Sequence, residues 1–192
     1  MSETVPTRSE RTLYESASTI VRRTSWEGRP AIVKALHPGN LSGVALARLH
    51  HEYQINQSLT SPHVCRALAF HEFEHQIVFE DPDGTALREL IATDQLSFDE
   101  RLDIAVGLAS ALQSIHDEGV IHRDVNPGNV VVAEESLAVF LIDFGFATIT
   151  PREYPLQDAS DPVTGTLPYL SPEQTGRINR IVDYRTDLYS FG

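Results

Sequence analysis

Ile121-His122-Arg123-Asp124-Val125-Asn126-Pro127-Gly128-Asn129 runs on into Val130-Val131-Val132, and a little later the chain reads Leu141-Ile142-Asp143-Phe144-Gly145. Two short apolar runs, 130–132 and 137–142, flank a polar Ala133-Glu134-Glu135-Ser136 turn, which is the pattern of a β-hairpin. Such a hairpin sets a loop carrying Asp124 and Asn129 beside a second loop carrying Asp143. Three oxygen-bearing side chains then share one mouth, and hard divalent cations such as Mg²⁺ prefer ligands of that kind.

Working back from this stretch, residues 98–118 read as a helix that leads directly into His122. Ser97 and Glu100 have the spacing of a capping box. Phe98, Leu102, Ala105, Leu108, Ala109, Leu112 and Ile115 are expected on its buried face, and Gly119 supplies a left-handed exit. A second helix is expected over 43–59, with Ala45, Leu49, Glu52, Ile55 and Leu59 on one stripe. A carboxylate inside an apolar stripe is costly to bury without a partner. The natural partner is Lys34, at the end of the preceding strand 31–36; it is the one lysine among 15 basic residues. Shorter strands are expected at 13–14, 19–22, 66–70 and 76–79, with a turn over Trp26–Pro30. His71 and His75 have a metal-pair spacing, but they fall in a turn without a third ligand and read as exposed loop histidines.

The order H-R-D-x-x-x-x-N then D-F-G resembles the protein-kinase signature. Gly165-Thr166-Leu167-Pro168-Tyr169-Leu170-Ser171-Pro172-Glu173 is similar to the family's G-T-x-x-Y-x-A-P-E, and Asp187-Leu188-Tyr189-Ser190-Phe191-Gly192 to the D-x-x-S-x-G that opens the next large helix. The resemblance implies an α+β, two-lobed kinase-like fold with a small β-rich N-lobe and an incomplete helical C-lobe. Residues 1–11 would be a disordered tail, 12–80 the N-lobe and 81–192 a C-terminally truncated C-lobe. It implies ATP and Mg²⁺ as cofactors. Asp124 would be the base, Lys34 would hold phosphates, Glu52 would orient Lys34, and Asn129 and Asp143 would hold the metal. Val21, Ile32, Glu80 and Pro82 would line the nucleotide site with them.

Several positions depart from the family's pattern. Tyr14, Ser16 and Thr19 stand where three glycines let backbone N–H groups approach phosphate, so the Ser16 and Thr19 hydroxyls would make part of those contacts. Pro82 has no N–H to offer the base, and Ile32 replaces a small alanine above it. Asn126 replaces a lysine that steadies the transferring phosphoryl group. The loop over 146–170 would be the activation segment, with Thr148, Thr150, Ser160 and Thr164 as candidate acceptors for a phosphate that pairs with Arg123.

Composition agrees with a soluble globular chain. A net charge of −12 argues against nonspecific binding to nucleic acid or anionic membrane. Cys65, the one cysteine, cannot form an intrachain disulfide, and no apolar run reaches bilayer length, so a cytoplasmic location is expected. Two functions of different class stand side by side. One is a Ser/Thr-type protein kinase domain, most like those that open bacterial multidomain sensor kinases, with downstream ATPase and sensor modules as partners. The other is a catalytically silent pseudokinase that serves as a docking module. A small-molecule phosphotransferase is disfavoured by the D-F-G and S-P-E motifs.

Overall fold

The computed structural model describes residues 10–149, 165–178 and 180–192. Its first part is a five-stranded antiparallel sheet: β1 (Arg11–Glu15), β2 (Thr19–Trp26), β3 (Arg29–Leu36), β4 (Ala67–His71) and β5 (Gln76–Glu80), in the order β1-β2-β3-β5-β4. Arg11, expected in the tail, is the first residue of β1. The turn between β2 and β3 is tighter than the sequence suggests. Only Glu27 and Gly28 lie outside the strands, both at positive φ (50° and 76°), as a two-residue hairpin turn that follows the strands' twist requires.

Helix α1 (Gly43–Ser58) is capped by the Ser42 hydroxyl, which accepts from the Ala45 N–H. Its stripe of Leu49, Glu52, Ile55 and Asn56 is buried. Leu49 meets Leu36, Ala67, Ile77 and Phe79 of the sheet. Buried Asn56 is satisfied by the Cys65 carbonyl at 2.9 Å and the Ala67 N–H at 2.7 Å, which pins α1 to the entry of β4.

The second part is built on α3 (Phe98–Asp117), whose capping box is formed by Ser97 and Glu100. Its buried face is rotated from the expected one. Ile104, Leu108, Ala111, Leu112 and Ile115 are buried, while Phe98 and Leu102 are 79% and 53% exposed and Ala109 is exposed too. Apolar residues cover two adjacent stripes of this helix, and a tertiary contact selects between them: Val139 lies so close to Gly107 that a Cβ there would meet it at 2.8 Å. The hairpin consists of β8 (Val130–Ala133) and β9 (Val139–Leu141), and it packs on α3 around Phe144. Three elements complete this side: the short pair β7 (Val120–Ile121) and β10 (Thr148–Ile149), and a terminal α4 (Arg185–Phe191).

Between the two parts run β6 (Gly84–Ala86) and α2 (Leu87–Thr93), neither of which the sequence pattern announces. β6 pairs with β8, and Gly84 lies so close that a Cβ would stand 2.5 Å from the Val132 carbonyl oxygen. Any side chain there would push the connection off the hairpin. The fold is therefore a β-rich part with one helix, a single linking segment, and a helical part, with a cleft between.

Candidate active site

The cleft has a volume of about 490 Å³ and its wall includes Val21, Ile32, Lys34, Glu52, Glu80, Pro82, Asp124, Asn129 and Asp143. At its inner end Lys34 Nζ lies 2.7 Å from Glu52 Oε2 and 2.9 Å from Asp143 Oδ1. Three elements converge to make this cluster: β3 delivers Lys34, α1 delivers Glu52, and the turn after β9 delivers Asp143. Asp143 adopts φ 64° and caps a 3₁₀ turn over Phe144–Phe146. That left-handed backbone is uncommon for a non-glycine residue. It is held by Phe144, buried beside the His122 ring at 4.8 Å between centroids.

Two carboxylates share one ammonium in this cluster, and burial penalises the surplus negative charge. Burial alone would depress the Lys34 ammonium, but Asp143 and Glu52 outweigh it and hold its pKa above the ordinary lysine value. Burial would likewise raise Asp143, yet Lys34 wins and keeps it below the usual carboxylate range. Glu52 takes the remainder: burial pushes it up to about 7, against the pull of Lys34.

A pH dependence follows from that last value. Because the folded pKa of Glu52 lies above the ordinary 4.5, folding favours its protonated form. The stabilisation is complete below the ordinary value and is lost as pH rises through about 7. The unfolding free energy of the wild-type chain relative to Glu52→Gln should therefore fall across this window, as read from denaturant midpoints at stepped pH. A difference that stays flat would contradict the shared-ammonium account.

Asp124 lines the same cleft. Its Oδ1 accepts from the Thr166 N–H at 2.8 Å and the Thr166 hydroxyl at 2.9 Å, and its Oδ2 accepts from Asn129 Nδ2 at 2.9 Å. The same Nδ2 also donates to the Asp124 carbonyl, so the Asn129 amide oxygen is left as its free end. Beneath the loop, fully buried Asp187 accepts from the His122 N–H, the Arg123 N–H and His116 Nε2, each at 2.8 Å. His122, also fully buried, donates from Nε2 to the Ile142 carbonyl. The catalytic-loop candidate is thus bolted to α4 on one side and to the Asp143 turn on the other.

Asn126 is spent on the loop itself. Its Nδ2 donates to the Asp124 carbonyl and the Thr166 hydroxyl, and its Oδ1 accepts from the Gly128 N–H. Ser16 acts comparably at the other wall: its hydroxyl accepts from the Ser18 and Thr19 N–H groups at 3.2 and 3.1 Å. Those amides are already occupied by the turn. Val21 pairs with Lys34, and Ile32 with Phe79, so both face the outer cleft with Pro82. The Glu80 N–H is committed to the Arg66 carbonyl.

Two features here have no local sequence signal. Arg23, on β2, lies 2.8 Å from Asp81 Oδ2 and donates to the Gly84 carbonyl, which straps the sheet to the linking segment. Arg48 and His51 of α1 hold the segment after Asp143: the Arg48 guanidinium sits 4.0 Å from the Phe146 ring centroid, and His51 donates to the Ala147 carbonyl. Among the candidate phosphate acceptors, Thr148 lies in β10 against Ile121, while Thr150, Ser160 and Thr164 lie outside the described residues. His71 and His75 end the β4–β5 turn, and no metal-holding group of three or more His, Cys, Asp or Glu occurs among the described residues. No described helix is long and apolar enough to cross a membrane.

Comparison with known proteins gives a consistent result. The family model for the protein kinase domain matches residues 16–192. The chain is 33% identical over 171 residues to the serine/threonine-protein kinase pkn2 of Myxococcus xanthus, covering 86% of this chain and 20% of that protein. It is 38% identical over 117 residues to a probable serine/threonine-protein kinase PknB of Bifidobacterium longum, covering 60% of this chain and 16% of that protein. The same identity and length hold for the PknB of Mycolicibacterium smegmatis, where 18% of the protein is covered. The chain thus spans about a fifth of the length of these relatives.

Proposed function

This chain belongs to the protein kinase domain family, and we propose that its cleft transfers the terminal phosphate of ATP to a serine or threonine hydroxyl of a protein. The observation that carries the reading is the meeting of Lys34 with both Glu52 and Asp143, at 2.7 and 2.9 Å, in the cleft that Asp124 also lines. Lys34 would bind the phosphates, kept in place by Glu52. Asp124 would orient the acceptor hydroxyl and take its proton as the oxygen attacks. Asn129 and Asp143 suit Mg²⁺: both offer hard oxygens, and the Asp143 side chain is 38% exposed at the cleft floor. With no three-carboxylate cage among the described residues, the pattern fits a metal held by one or two protein oxygens and the nucleotide's own phosphates. When bound, the metal neutralises charge on those phosphates.

The outer cleft supports a weak choice of base. Pro82 lacks an N–H, the Glu80 N–H is already bonded to Arg66, and Ile32 narrows the space. ATP and GTP should then bind with similar affinity in titrations. One lost hydrogen bond is worth about ten-fold, so a preference for ATP well above that would show that another donor reads the base.

The docking-module reading is favoured by one specific pair of observations. Ser16 occupies the loop amides, and Asn126 occupies the position of a cation while bonded to its own loop and to Thr166. Incubation with γ-labelled ATP and Mg²⁺, followed by phosphoamino-acid identification, separates the two. Label on serine or threonine supports the kinase; nucleotide binding without transfer to itself or to any protein supports the docking module. By resemblance, we place the domain in a longer bacterial signalling protein with ATPase and sensor modules. A domain that consumes ATP would work in the cytoplasm.

A further inference from the structure

Arg88 is an arginine in the active-site mouth that has no carboxylate partner among the described residues. It is exposed at the start of α2, and its backbone N–H donates to the Pro127 carbonyl at 2.9 Å, so its base moves with the loop that carries Asp124. Its guanidinium reaches back over Gly128: a Cβ built on that glycine would meet Arg88 Nη1 at 3.1 Å. Gly128 leaves room for the guanidinium, whose Cζ lies over the Tyr14 ring of β1, 5.8 Å from its centroid, a loose contact that neutralises no charge. Three other cations of the cleft wall are engaged, while Arg11, like Arg88, makes no ion pair among the described residues. Lys34 is paired with Glu52 and Asp143, Arg23 with Asp81, and Arg48 lies on Phe146. Arg88 makes no ion pair among the described residues, even with Glu89, which lines the same cleft. That is notable in a chain with 27 acidic and 15 basic residues.

We propose that Arg88 is a specificity-determining residue, which selects protein substrates carrying an anionic side chain beside the acceptor hydroxyl. The proposal rests on the kinase reading. An acceptor hydroxyl must come to Asp124 Oδ1, where the Thr166 hydroxyl now sits at 2.9 Å. Thr166 therefore marks one side of the acceptor position, and Gly128 with Arg88 marks the other. A substrate segment crossing the mouth passes the guanidinium, whose planar donors match a carboxylate or a phosphate two-pronged. Carboxylate and phosphate share this chemistry, so aspartate, glutamate and an already phosphorylated serine are all candidates.

The test uses the full chain with four acceptor peptides that differ only in residues flanking the acceptor: aspartate or glutamate, phosphoserine, alanine, or arginine. The acidic or phosphorylated peptide should exceed the alanine peptide roughly ten-fold in kcat/KM, and whichever is higher identifies the natural anion. Arg88→Gln should erase the preference, and Arg88→Glu should invert it toward the arginine peptide. An inversion cannot come from misfolding. A preference unchanged in both variants would overturn the proposal, as would a loss confined to ATP affinity relative to ADP, which would assign the guanidinium to the nucleotide. If no peptide is phosphorylated, the kinase reading fails, and peptide affinity measured with a non-hydrolysable ATP analogue decides this proposal instead. Tighter, Arg88-dependent binding of the anionic peptide supports it, and equal binding of all four overturns it.

Discussion

Asp124→Ala is expected to lower the rate of phosphate transfer by roughly 10²- to 10⁴-fold, the usual contribution of a positioned general base. Binding of nucleotide should change little, because Lys34 and Asp143 are held by each other and by Glu52, and Asn129 keeps its bond to the Asp124 backbone carbonyl. The structure explains why no neighbour would replace it. Asn129 Nδ2 and both Thr166 donors point at Asp124, so its removal leaves donors, not acceptors, around the attacking hydroxyl. Asp143, another carboxylate of the cleft, is tied to Lys34 at 2.9 Å. Single-turnover measurement with saturating nucleotide isolates the chemical step. Transfer retained within a few-fold of wild type would remove Asp124 from its assigned role.

Asp187→Ala should cost the most stability of any single replacement in the catalytic region. Asp187 is fully buried, and its two oxygens take the His122 N–H, the Arg123 N–H and His116 Nε2. An alanine leaves two backbone donors unpaired beside a cavity, each at about 1–3 kcal/mol. A total loss of about 3–5 kcal/mol is expected, the range for breaking a buried charged network. Arg123 also has φ 65°, a conformation that survives only where surrounding bonds enforce it. Its release would let Asp124 drift, so transfer should fall along with the denaturation midpoint. Asp187→Asn retains an acceptor and should lie between the two. A loss under about 1 kcal/mol in Asp187→Ala would show that water or another group satisfies those donors.

The sequence carried most of what is local. The 130–141 hairpin, the capping box at Ser97 and the Glu52 stripe are legible because periodicity and caps act over a few residues. The rotation of α3 was not, since Phe98 and Leu102 are as apolar as Ile104 and only contact with Val139 decides which side is buried. β6 exists because it pairs with β8, from Gly84 with Ala133 to Ala86 with Val131, and three residues alone have no strand period. The Arg23–Asp81 strap joins residues separated by 58 positions, and the Thr166 bonds to Asp124 by 42. The motif residues are legible by resemblance, but that Ser16 is consumed by its own turn, and Asn126 by its loop and Thr166, shows only in three dimensions.

Lys34, Asn129 and Asp143 are assigned one shared task, holding a metal-bound triphosphate. Calorimetric titration of ATP with and without Mg²⁺, on wild type and Asp143→Ala, measures that task without depending on turnover. The account predicts clearly tighter binding with Mg²⁺ in wild type, and loss of that Mg²⁺ dependence in Asp143→Ala. Equal affinity with and without the metal, unchanged by the substitution, would contradict it.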